Sequence, residues 1–161
     1  MHQRKNAGLL ALAFVVAAVF SAPCRAECAT GAKNAAGRFM NAYVKQILAM
    51  EHKHKKGSIG QWLHANRELT ESFKKSYQDL VDSAKRDDPE LGLDFDPVVD
   101  AQDFPDKGFI VESCDASGFV TVRGVGWETF KVTVKVVNAS GWRVDGAGVI
   151  NIPRDKQASK L

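Results

Sequence analysis

Between Lys33 and Met50, apolar side chains recur at Ala36, Phe39, Met40, Tyr43, Val44, Ile47 and Leu48. That i, i+3, i+4, i+7 spacing lines one face of an α-helix, and the face is wide enough to be buried. The run Glu51-His52-Lys53-His54-Lys55-Lys56-Gly57 closes the helix, since cations suit a helix C-terminus and glycine tolerates the left-handed exit. Ser58 is placed to cap a short helix holding Ile59, Trp62 and Leu63. A third helical stripe follows at Leu69, Phe73, Tyr77, Leu80, Val81 and Ala84, with Thr70 before Glu71 as its N-cap. Asp87-Asp88-Pro89 stops it, because a residue preceding proline is pushed out of the α region.

After Phe109 the period changes to two. Phe130, Val132, Val134 and Val136 alternate with Lys131, Thr133 and Lys135, which describes a strand with one buried and one wet face. Ile110 to Cys114, Phe119 to Gly124 and Trp142 to Ile150 are similar runs, separated by turn-forming Asp115 to Gly118, Gly124 to Gly126 and Asn138 to Gly141. Helices that precede a meander of about four antiparallel strands predict an α+β domain, with the helices packed on one face of the sheet.

The N-terminus changes the compartment. Arg4 and Lys5 precede the uncharged run Ala7 to Ala22, the layout of a secretory signal peptide, and the small residues at Cys24 and Ala26 place cleavage after Ala26. A run of that length falls short of the roughly 20 residues that span a bilayer, so the mature chain is expected to carry no transmembrane anchor. Lipidation at Cys24 is disfavoured, because Ser21-Ala22-Pro23 lacks the aliphatic residue of a lipoprotein signal. The expected product is a single α+β domain, residues 27–161, in the periplasm or outside the cell.

Cleavage also resets the charge. The full chain is formally +3, but Arg4, Lys5 and Arg25 leave with the signal, taking 22 basic residues to 19 against 19 acids. A neutral domain lacks the electrostatic footprint of a nucleic-acid binder. Two cysteines remain, Cys28 and Cys114, and an oxidising compartment favours a disulfide between them.

The element order, ending in Gly141-Trp142-Arg143-Val144-Asp145-Gly146, resembles the nuclear transport factor 2-like superfamily, whose last strand carries an aromatic, a basic, an aliphatic and an acidic residue in that order. More narrowly, Asp96-Pro97 with Asp100-Ala101-Gln102-Asp103 is similar to the acidic segment of an uncharacterised family of bacterial envelope proteins within it. The resemblance spans roughly residues 30 to 152. It implies a curved sheet wrapped over helices into a cone with an internal pocket.

The sharpest chemical feature is a set of five aspartates, Asp94, Asp96, Asp100, Asp103 and Asp106, interleaved with Phe95, Pro97, Val98, Val99 and Phe104. A calcium loop needs a turn glycine and a closing bidentate glutamate, and neither occurs between 94 and 107, so no metal is assigned. An acid/base site is the second reading. The resemblance implies it, since ketosteroid isomerase in that superfamily combines an Asp base with a Tyr and a protonated Asp. Only Tyr43 and Tyr77 are available, and both already belong to apolar helix stripes. The third reading is structural: Asp side chains accept backbone N–H bonds in turns while the interleaved apolar residues dock the connection.

Weaker candidates carry less. His52 and His54 sit in a lysine run without a complete ligand set, and His64 stands alone. Asn138-Ala139-Ser140 matches a glycosylation acceptor but reads as a turn, and no serine lies in a nucleophile elbow. The sequence therefore favours a binding module over an enzyme. It is expected to take a protein partner, for instance a toxin it neutralises, or a small apolar ligand, and to use no cofactor. Asp96, Asp100, Gln102, Asp103, Trp62 and Trp142 are the candidate contact residues. The rival is a small cofactor-free lyase or isomerase with Asp96 or Asp100 as base.

Overall fold

The computed structural model describes residues 28–53 and 57–158. The expected signal peptide and Cys24 lie outside the described residues, as do residues 54–56 and the side chains of residues 52 and 53.

Three helices, α1 (Thr30–Lys53), α2 (Ile59–Ala65) and α3 (Glu71–Asp87), precede four strands, β1 (Phe109–Cys114), β2 (Phe119–Gly124), β3 (Trp127–Asn138) and β4 (Trp142–Ala147). The strands form one antiparallel sheet in sequence order, curved and unclosed, with the helices packed against it. This is the α+β architecture that the change of period predicts. Each strand pair carries one register shift, at Val111/Ser113, Arg123/Gly124 and Lys135/Val136. Such bulges bend a strand and tighten its twist, which gives a physical origin for the curvature.

Helix α1 touches all four strands. Its buried residues Phe39, Met40, Tyr43 and Val44 share one core with Val120, Val122, Val132, Val134, Val136 and Val144 of the sheet. Fully burying one such aliphatic or phenyl side chain is worth about 1.5–3 kcal/mol, so the shared face outweighs any single cap or hydrogen bond in holding helix to sheet. Helix α2 begins at a reciprocal capping box between Ser58 and Gln61, and α3 at Thr70, whose hydroxyl accepts the Phe73 N–H. The connector between them adds to the β4 edge, with Thr70 N–H donating to Val144 O and Val144 N–H to Glu68 O.

Three strand boundaries differ from the sequence reading, β1 beginning one residue earlier at Phe109. Strand β3 starts at Trp127, because the hairpin pairs Gly124 directly with Trp127 and turns on Val125 and Gly126, the latter at φ +77°. Strand β4 stops at Ala147 and does not run on to Ile150. Gly148 at φ +59° reverses the chain there, and an added Cβ would meet the carbonyl oxygens of Pro97 and Val98.

Cys28 and Cys114 stand at disulfide-bonding distance, with Cα atoms 5.5 Å apart across 86 positions of sequence. The bridge joins the residues just before α1 to the end of β1. Among the described residues, no helix is long and apolar enough to cross a membrane.

Candidate functional site

The aspartate segment folds on itself before it meets the rest of the molecule. Asp96 N–H donates to Ala101 O at 2.8 Å and Ala101 N–H returns to Asp96 O at 3.3 Å, closing a loop that buries Pro97, Val98 and Val99. Reversing direction in so few residues puts Asp100 at φ +54°, a left-handed conformation that aspartate tolerates better than most residues. Inside the loop, Asp96 Oδ1 accepts the backbone N–H of Val98 at 2.8 Å and of Val99 at 3.3 Å. An Asp two residues before its amide partner is the side-chain turn mimic that this residue type favours.

Two longer-range bonds fix the loop in place. The Tyr43 hydroxyl, from the buried face of α1, donates to the Asp96 carboxylate at 3.0 and 2.8 Å. From the other side, Val149 N–H donates to Pro97 O at 3.0 Å, just beyond the close approach of Gly148. The segment is thereby held between the first helix and the end of the last strand.

Burial raises the Asp96 pKa above its ordinary value, and the bonds from Tyr43, Val98 and Val99 pull it down without cancelling that effect. Tyr43 is raised well above 10.0, first by burial and then by the Asp96 charge and its hydrogen bond. Tyr77 is raised by burial and then by Asp96. Both phenols are therefore held as proton donors at neutral pH. Trp62 closes the cluster on the α2 side, its ring 6.1 Å from Tyr43 and 6.5 Å from Phe39, with Phe73 edge-on to Phe39 at 5.8 Å.

The candidate contact residues named from sequence do not form one site. Asp96 and Trp62 converge on Tyr43. Gln102 is exposed and donates its amide to Asp94 O at 3.2 Å, Asp103 is exposed, and Asp100 is half-buried. Trp142 is elsewhere, against Gly31 in the first turn of α1. Twelve residues separate Gly31 from Tyr43, roughly 18 Å along a helix axis. Among the described residues, no group of three His, Cys, Asp or Glu side chains could hold a metal ion.

Sequence reasoning assigned Tyr43 and Tyr77 to packing and overlooked Asn41 altogether. Asn41 Nδ2 donates to Phe109 O and its Oδ1 accepts Phe109 N–H, both at 2.9 Å, so one side chain continues the β1 ladder onto α1. An exposed-face Asn within a helical stripe carries no local signal of a partner 68 residues away.

Surface grooves lie among the described residues as well. One of about 590 Å³ runs between α2 and α3, one of about 560 Å³ crosses the outer face of the sheet beside Lys131 and Lys156, and one of about 450 Å³ lies beside Cys28 and Trp142. Neither Asp96 nor Tyr43 lines any of them. Comparison of the chain with protein-family models, curated proteins and solved structures gives no match.

Proposed function

We propose that this chain is an exported, non-enzymatic binding module of the bacterial envelope, related to the nuclear transport factor 2-like superfamily. The observation that carries the reading is the structural engagement of Asp96. Its carboxylate already accepts the Tyr43 hydroxyl and two loop amides, and Val149 and Gly148 clamp the same loop from behind. A general base needs an accessible lone pair within hydrogen-bond reach of a substrate proton. Here Tyr43 and two loop amides take most of the roughly four lone-pair sites of the carboxylate, and neither Asp96 nor Tyr43 lines a described groove. Helices ahead of a curved sheet support the superfamily relation, and the Cys28–Cys114 bridge supports export, since such bonds persist in oxidising compartments.

The rival enzymatic reading keeps one observation in its favour: Asp96 is raised in pKa and neighbours two protonated phenols. Clusters of that kind concentrate at catalytic sites, although structural networks also produce them. Asp100, the other candidate base, holds the left-handed position at which the loop turns.

Native mass spectrometry of the protein taken from periplasmic extract, then denatured with and without reductant, tests the proposal. The expected result is a mature chain starting at Glu27, heavier by two hydrogens after reduction, and carrying either a second polypeptide or a small retained ligand released unchanged. A chain that still begins at Met1, or a retained mass that the protein converts into a different compound, overturns it.

A further inference from the structure

An open sheet has two edges, each a row of main-chain groups that can pair with another strand. The β4 edge is covered by main chain, since Glu68 and Thr70 bond to Val144. Strand β1 is the other edge, with β2 as its one neighbour in the sheet. Among the described residues, no main-chain bond joins the outward side of β1 to another segment. The strand opens with Phe109-Ile110-Val111, three residues of high strand propensity without a charge or a proline, and Ile110 is 43% exposed. Such a stretch is a ready template for another chain.

One side chain stands in the way. Asn41, exposed on α1, donates Nδ2 to Phe109 O and accepts Phe109 N–H at Oδ1, both at 2.9 Å. Exchanging both bonds with a single residue is what a neighbouring strand does in an antiparallel pair. The same Nδ2 donates to Gly37 O at 2.9 Å, which holds the amide against its own helix. Gly108 leaves room for it, because an added Cβ there would collide with Asn41 Oδ1. At the far end, the register shift between Val111 and Ser113 breaks the regular edge. Val111 lies between, two residues beyond Phe109, so its N–H and C=O face the same outward side. From this geometry we propose that Asn41 is an edge plug, which takes the place of a further strand and keeps two copies of this chain from joining β1 to β1 in one continuous sheet. A second copy is the partner it excludes, because an antiparallel β1 pair is two-fold symmetric and sets the same apolar residues and the same Val111 groups against each other.

Sedimentation velocity and amide hydrogen exchange test the proposal on the disulfide-bonded wild type, on Asn41→Ala, and on Asn41→Ala combined with Val111→Pro. Alanine is the best helix former, so at this exposed position it keeps α1 and removes only the plug. Wild type is expected to sediment as a monomer with a rapidly exchanging Val111 amide. Asn41→Ala should reach twice the monomer mass, with its Val111 amide increasingly protected as protein concentration rises. Val111→Pro removes the outward N–H at a place where an edge strand accepts proline, and it should return Asn41→Ala to the monomer. A merely structural tie would lower stability without changing the mass. A wild-type dimer joined through β1, an Asn41→Ala chain that stays monomeric or unfolds, a dimer protected outside β1, or one that survives Val111→Pro overturns the proposal.

Discussion

Asp96 receives the Tyr43 hydroxyl on its carboxylate at 2.8 Å, although 53 positions of sequence separate the two residues. The bond crosses from the first helix to the last connection before the sheet, so its loss should be felt by the whole domain. Tyr43→Phe keeps the ring contacts with Phe39 and Trp62 and removes only the donor. A buried acceptor that loses its partner costs about 1–3 kcal/mol, and that is the expected drop in unfolding free energy. Asp96→Ala strands the phenol and two amides together and should cost more. Urea unfolding of both variants and of the double variant measures the coupling, and strictly additive losses would show that the bond contributes nothing.

The same pair sets a pH signature. Burial raises the Asp96 pKa in the folded protein above the ordinary 3.8, so between those two values the folded state binds more protons than the unfolded one. Stability from this group is therefore fully present below pH 3.8 and falls as pH rises through the folded value. Asp96→Asn removes that slope, so the variant's deficit against wild type should shrink as pH increases across the window. Tyr43 behaves alike at the alkaline end, where its contribution declines above pH 10.0. Tyr43→Phe should flatten the alkaline limb. Unfolding curves at stepped pH check both, and a deficit for Asp96→Asn that stays constant with pH would falsify the first.

Local rules made most of the elements readable and left the long-range ones hidden. Ser58 and Thr70 are caps because hydroxyls satisfy the nearest orphan amides, and Asp88-Pro89 ends α3 for a reason contained in two residues. Strand β2 has the bounds that alternation predicts. The end of β4 was not readable, since Gly148 turns the chain only because the backbone of Pro97 and Val98 lies against it. The aspartates behaved similarly. Turn chemistry singled out the segment, but nothing local distinguishes Asp96, which faces Tyr43, from Asp103, which faces solvent. Tyr43 fits its apolar stripe so well that its hydroxyl had no separate signal.

The bridge between Cys28 and Cys114 gives a prediction of larger magnitude. Closing a loop across 86 positions removes chain entropy from the unfolded state worth about 4–5 kcal/mol in the loop-closure model. Reduction, or Cys28→Ser with Cys114→Ser, should lower unfolding free energy by that order. The fold ought to persist at low temperature, because the core shared by α1 and the sheet is independent of the bridge. Thermal melts with and without reductant decide the matter; coincident melts would show that the bridge is absent or inert.

Gly31 and Trp142 supply the last test, which separates packing from ligand contact for an aromatic residue named as a candidate from sequence. Any Cβ at position 31 would enter the Trp142 indole, which packs on the core next to the bridged N-terminus. Gly31 lies in the first turn of α1, where alanine suits the backbone, so only the collision opposes the change. Gly31→Ala should therefore destabilise by about 1–3 kcal/mol through overpacking, and red-shift tryptophan emission as the indole is pushed toward water. Trp142→Leu in the same chain should recover part of the loss, because the smaller side chain vacates the space. If Gly31→Ala is neutral and the emission does not move, Trp142 is free to reorient, and its place in the groove beside Cys28 then suits a ligand contact better than a structural one.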